Sequence, residues 1–431
     1  MNTKVKWTLM VYMAGDNGKI FDDGRQLMYD LQAFGWRNLA DMTSVGSTDQ
    51  VTVVAQYDTL KNQQFTPRFF IDGSKPCGKL VQKVPPVNTG DPKNLTDFIV
   101  WAASNYPAER YALVLWNHGT GWKEDDLYAR YREKVEKAVK GGEIRAGTRG
   151  EKLLRKSLFL TTAGDIMAIE NDETRGICYD DSSMDFLDNR KMVEALQNAE
   201  TAIGQPISLL GMDACLMSMV EVAHQLRDCA EVMVGSQEVE PGEGWPYAAI
   251  LRELVAKPDM SSRELGAHIV QEYGAFYMGL TRGGGGSITQ SAIDLSTMKD
   301  LGVQMGKLAR ALTAHYEADF QVERAIGRAL KRVQRFRDRD YMDLYNFLEL
   351  LEAEYGGDDV LMAGIKGLRL SLKQSASGTP IIANVTGRVL PNAHGLSVYF
   401  PYEGCSKYYD DVEMAGMGWK DLICKQNQIA N

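Results

Sequence analysis

No stretch of the 431 residues approaches the roughly 18 uninterrupted apolar residues that a membrane-spanning helix needs, so a membrane partner is not expected. The six cysteines (Cys77, Cys178, Cys215, Cys229, Cys405, Cys424) form no Cys-x-x-Cys pair, which argues against a zinc ribbon and a dense disulfide framework. Basic charge is short: 48 Lys and Arg stand against 57 Asp and Glu, a net of -9, and no bulk hold on nucleic acid follows from that balance. Histidine is scarce, and His224, His268, His315 and His394 stand apart from any matching constellation, so each reads as structural or surface. No internal repeat is evident.

What is present is an alternation of strand-like and helix-like segments. Apolar runs recur at Trp7–Met13, Val51–Tyr57, Tyr111–Trp116, Ile207–Gly211 and Val232–Gly235, the pattern of a mostly parallel sheet covered on both faces. The first run follows Lys4 and Lys6 and mimics a short secretory signal, but its β-formers and the turn chemistry of Gly15-Asp16-Asn17-Gly18 favour a strand. A cytoplasmic location is therefore expected, with secretion as the alternative if the chain begins after a removed signal. Arg68–Ile71 and Lys79–Val84 read as an edge hairpin. Helices are expected at about 22–40, 92–105, 190–202, 216–227 and 261–278.

The segment at about 123–175 breaks the rhythm, being charged and poor in core residues, and reads as an insertion. Residues 283–287 form a glycine-rich loop. Beyond it, 296–316, 322–354 and 358–374 read as helical, with strands at 379–385 and 395–400. The expected division is a core over 1–294, carrying the insertion, and a mostly helical C-terminal subdomain over 295–431.

Two strand-like runs end in reactive side chains, Trp116-Asn117-His118-Gly119 and Met212-Asp213-Ala214-Cys215. Sites in open parallel sheets form at the carboxyl ends of strands, which places His118 and Cys215 on one edge. Cys215 precedes a helix-like stretch from Leu216, so a helix N-terminus is expected to favour its thiolate. His118 is suited to exchange the proton with the thiol and then with a leaving amine. The backbone N–H groups of Gly119 and Cys215 could form an oxyanion hole, and glycine at 119 allows close approach.

These motifs resemble the clostripain-like cysteine peptidases, of the same fold group as caspases, gingipains and legumains. The resemblance extends to Trp7–Asn17, Gly235–Glu238, Pro241–Tyr247 and Gly395–Pro401. It implies a caspase-haemoglobinase α/β fold with a C-terminal helical extension, and a His118/Cys215 dyad that hydrolyses peptides after Arg or Lys through an acyl-thioester. It also implies that Asp213 holds the basic side chain of the substrate; from the residues themselves, Glu238, Glu240 and Glu243 in the following loop add to that acidity without individual assignment, and Trp245 reads as an aromatic wall. The interval from His118 to Cys215 is wider than the family pattern by the insertion, where self-cleavage is expected at Arg145 or Arg149.

No organic cofactor and no metal is required by this chemistry. Calcium, which promotes activity in some relatives, remains open because Asp180, Asp181, Asp185 and Asp188 cluster, although EF-hand spacing is absent. Two other functions stay open: a transpeptidase or ligase using the same dyad, and a non-catalytic regulatory protein. A regulatory protein partner is a further expectation, since an unrestrained cytoplasmic protease is toxic.

Overall fold

The computed structural model describes residues 4–16, 31–59, 64–122, 177–180, 182–183, 185–280, 286–316, 319–373 and 378–430. Its strands are β1 (Val5–Gly15), β2 (Val51–Thr59), β3 (Thr66–Phe70), β4 (Lys79–Val84), β5 (Ala108–Trp116), β6 (Ile177–Asp180), β7 (Asp185–Leu187), β8 (Ile207–Asp213), β9 (Ala230–Gly235), β10 (Thr289–Asp294), β11 (Tyr341–Asp343), β12 (Ile381–Thr386) and β13 (Ser397–Tyr399). Its helices are α1 (Leu31–Thr43), α2 (Pro92–Asn105), α3 (Asn189–Ile203), α4 (Val220–Gln225), α5 (Tyr247–Ala256), α6 (Ser262–Gly279), α7 (Met298–His315), α8 (Phe320–Arg332), α9 (Leu344–Glu354), α10 (Asp359–Ser371) and α11 (Trp419–Ala430).

Nine strands form one sheet in the order β12-β10-β9-β8-β5-β1-β2-β3-β4. The five from β9 to β2 run parallel, and antiparallel pairs close both edges. The expected parallel core and edge hairpin are both found. β1 lies inside the sheet between β5 and β2 and is buried on both faces, its side chains alternating across the strand. Trp7, Leu9, Val11 and Met13 pack with Leu39 of α1, Leu251 of α5 and Tyr273 of α6. Met10, Tyr12 and Ala14 pack with Phe98 of α2, Leu196 of α3 and Met305 of α7.

Local chemistry sets the helix limits. Asp91 caps α2 by accepting from the Lys93 N–H at 2.9 Å, with Pro92 in its first turn. Asp188 caps α3 through the Lys191 N–H, and Gly204 ends that helix with φ 77°. Among the described residues no helix is long and apolar enough to cross a membrane.

The boundary expected at 294/295 falls just after β10, and the segment that follows packs on the core. It returns β12 to the main sheet, and the larger hydrophobic cluster runs without interruption from α2 to α11. β13 pairs with β11 and also touches Met219, four residues past Cys215.

Candidate functional site

β5 and β8 are hydrogen-bonded neighbours, with Trp116 opposite Asp213, so His118 and Cys215 leave adjacent strands at the carboxyl edge of the sheet. Asn117 fixes the first exit. Its backbone N–H donates to the Asp213 carbonyl at 3.3 Å, its side-chain amide donates to the Ala14 carbonyl, and its Oδ1 accepts from the Tyr179 N–H at 3.0 Å. One buried side chain thereby ties the stalk of His118 to β1 and β6. The motif drew attention to Asn117, but its role depends on Tyr179, across the insertion.

Gly119 packs directly on the Cys215 turn. A Cβ there would lie 2.5 Å from the Cys215 carbonyl oxygen and 2.9 Å from the Ala214 Cβ, so only glycine fits. The Gly119 N–H also reaches toward the Cys215 thiol, and the Glu240 N–H donates to its sulfur at 3.3 Å.

The expected helix at 216–227 is shorter than the sequence pattern. α4 starts only at Val220, and Cys215 lies on a turn five residues before it. Leu216 has φ 61°, and the segment behind it is held extended: the Ser218 N–H donates to the Ser236 carbonyl at 2.9 Å, and the Ser397 N–H donates to the Ser218 carbonyl at 3.0 Å. The Ser218 hydroxyl donates to the Gly395 carbonyl at 2.7 Å. A helix dipole therefore does not activate Cys215.

Electrostatics agree with that correction. Burial, then the nearby Glu240 and Glu238 carboxylates, push the Cys215 thiol up to about 12, against the opposing Glu240 and Gly119 N–H groups. Burial pulls His118 down to about 4. No hydrogen bond joins the two side chains among the described residues, so they rest as neutral thiol and neutral imidazole.

Behind Cys215 is an acidic, aromatic recess. Asp213 Oδ2 accepts from the Tyr247 hydroxyl at 2.7 Å and from the Trp245 N–H at 3.2 Å. The Glu240 carboxyl group faces Asp213, and its Oε1 accepts from the Gln290 amide at 3.2 Å. Burial lifts Asp213 to about 6 despite those donors, and burial together with Asp213 lifts Glu240 well above the usual carboxyl range. Glu240 Oε2, Gln290 Oε1, Trp245 Nε1 and the Tyr273 hydroxyl are all buried without a well-aligned partner. Trp245 is buried with its ring against Gly211, and its backbone N–H supports Asp213. Glu238 faces elsewhere, accepting from the Val239 and Arg337 N–H groups.

The acidic stretch after the insertion does not act as one cluster. Asp188 is a helix cap, and Asp185 pairs with Lys191 at 2.5 Å and accepts from Asn88 at 2.8 Å. Asp180 instead joins Asp16 and Asp58, whose carboxylate oxygens lie within 4.8 Å of one another. Burial and Asp180 raise Asp58 to about 7. Asp16 and Asp58 end neighbouring strands, a signal that becomes readable only once the register of β1 and β2 is known. Asp181, Arg145 and Arg149 lie outside the described residues.

A family model described as the clostripain family matches residues 11–138 and 156–362. Clostripain of Hathewaya histolytica is 29% identical over 178 residues, 39% of this chain and 25% of that protein, so the chain matches about a quarter of that relative's length. Among solved structures, a secreted C11 cysteine protease from Bacteroides thetaiotaomicron superposes with a TM-score of 0.60 at 16% identity, covering 96% of this chain and 100% of that one. An inactive zymogen C11 protease from Parabacteroides distasonis gives a TM-score of 0.58 at 16% identity, over 97% and 99%. At such identities the likeness is one of fold.

Proposed function

Since this chain belongs to the clostripain family, we propose that it is a cysteine endopeptidase cleaving after Arg or Lys, with Cys215 and His118 as its dyad. One observation carries the specificity: a buried carboxylate two residues before the candidate nucleophile, set in a recess with a second buried carboxyl group, Glu240, and the Gln290 Oε1 acceptor. A desolvated carboxylate of this kind selects a cation.

The chemistry then follows. A substrate carbonyl settles against the N–H groups of Gly119 and Cys215, and the Cys215 sulfur attacks it while His118 takes the thiol proton. The tetrahedral oxyanion collapses to an acyl-thioester as His118 returns that proton to the departing amine. Water, deprotonated by His118, then releases the acid and restores the thiol. Nucleophile, proton carrier and oxyanion donors are all protein groups, so no cofactor enters the scheme.

Self-cleavage after Arg145 or Arg149, and restraint by a protein partner, belong to the same proposal on the strength of the insertion's sequence. Calcium belongs to it only through Asp16, Asp58 and Asp180, an all-oxygen set suited to a hard divalent cation. Adding calcium is expected to raise the melting temperature of wild type and not of Asp58→Asn. Equal behaviour removes calcium from the scheme.

The main test is hydrolysis of fluorogenic peptides ending in Arg, Lys, Asp or Ala, by wild type and Cys215→Ala, with mass spectrometry of the enzyme. Arg or Lys cleavage lost in the variant supports the reading; cleavage after Asp or Ala, or activity in Cys215→Ala, overturns it.

A further inference from the structure

Glu240 lies on the loop after β9, where its backbone N–H serves Cys215 and its side chain faces Asp213. Both carboxyl groups are more than nine-tenths buried, and no protein N–H or hydroxyl group is well aligned on Glu240 Oε2, which leaves it to the neighbouring carboxyl group. Two carboxylates this close and this dry do not both stay ionised. Asp213 has the better donors, the Tyr247 hydroxyl and the Trp245 N–H, so the proton resides on Glu240. The other titratable groups that act on this recess are Cys215, Glu238, Glu243, Asp41, Tyr273 and Tyr277, all neutral or anionic. None of them supplies the positive charge that would let both acids ionise.

We propose that Glu240 is the second carboxyl group of the specificity recess, that it shares one proton with Asp213 in the free enzyme, and that an entering guanidinium displaces this proton to solvent. The step balances: the substrate keeps its own protons and positive charge, Glu240 loses one proton to water, and two carboxylates then face one cation. Glu240 Oε2, relieved of the proton it shares with Asp213, and Gln290 Oε1 become acceptors for the guanidinium N–H groups. A guanidinium fork has donors enough for Asp213, Glu240 and Gln290 together, whereas an ammonium has three in a compact cluster. Arg is therefore preferred over Lys, and the preference comes from Glu240.

This inference rests on the Arg/Lys reading above, and the experiment separates the two. Calorimetric titration of the full-length protein with agmatine, a small guanidinium, is run near pH 6.5 in buffers of different ionisation enthalpy. Wild type is expected to release close to one proton per agmatine bound, Glu240→Gln none, and Glu240→Asp to recover the release. With an Arg peptide, Glu240→Gln is expected to raise KM about tenfold to hundredfold, the range for losing one charge-assisted hydrogen bond, while kcat falls far less and the Arg-over-Lys ratio collapses. Agmatine binding without proton release, or an unchanged KM in folded Glu240→Gln, overturns the inference. Failure of wild type to cleave either basic peptide overturns the underlying specificity reading instead. Circular dichroism and a cooperative thermal melt establish that each variant is folded.

Discussion

The Cα of Gly119 faces the Cys215 carbonyl so closely that an added methyl group would lie 2.5 Å from that oxygen. His118 and Cys215 thus share one packing contact through their neighbours, and the gap cannot widen without moving both. Gly119→Ala is expected to reduce kcat/KM at least 100-fold, the scale for losing one oxyanion donor, with a melting temperature only a few degrees lower. Activity within threefold of wild type would show that the contact relaxes harmlessly.

The resting state of Cys215 has a kinetic signature. With its thiol lifted to about 12 and His118 lowered to about 4, neither is charged near neutrality in the free enzyme. Alkylation by iodoacetamide, which requires thiolate, is expected to rise about tenfold per pH unit from pH 7 to 10. A plateau near neutrality would reveal a preformed thiolate–imidazolium pair and refute this.

Ser218 gives a prediction that separates support from chemistry. Its hydroxyl donates to the Gly395 carbonyl at 2.7 Å in a fully buried setting. Ser218→Ala leaves that acceptor unpaired and is expected to cost about 1–3 kcal/mol of stability. It should lower kcat about tenfold through the misplaced turn and leave KM near wild type. Urea unfolding with steady-state kinetics reads both, and a KM effect larger than the kcat effect would contradict the assignment.

Glu221 predicts a pH dependence away from the recess. It is fully buried, accepts from the Tyr399 N–H at 2.9 Å and the Tyr409 hydroxyl at 3.1 Å, and burial raises it from 4.5 to about 7. Between those values the folded chain holds a proton that the unfolded chain has lost. Its stabilising contribution is complete below about 4.5 and disappears as pH rises through about 7. Glu221→Gln is therefore expected to gain stability relative to wild type from pH 5 to pH 8, by on the order of 2–3 kcal/mol. Denaturant titrations at both pH values check it, and a constant difference would count against the shift.

The parallel sheet, the edge hairpin and helix α2 were legible because short-range pattern decides them: apolar runs for strands and helical periodicity for 92–105. His118, Cys215 and Asp213 were legible because they sit where strands end. The stretch from Leu216 misled because its spacing of apolar residues suits a helix, while its hydrogen bonds go to Ser236 and Ser397. Partners so distant in sequence leave no local trace. Glu240 stayed unassigned among three glutamates for the same reason: the path of the loop after β9, and not its composition, aims one at Asp213 and another at Arg337.

The bond between Ser397 and Ser218 also orders events in time. During synthesis the cysteine emerges about 180 residues before the segment that sets its turn. A ribosome-bound chain, or one cut before β13, carries Cys215 without the turn that presents it, so a segment made late acts as a safety catch on that thiol.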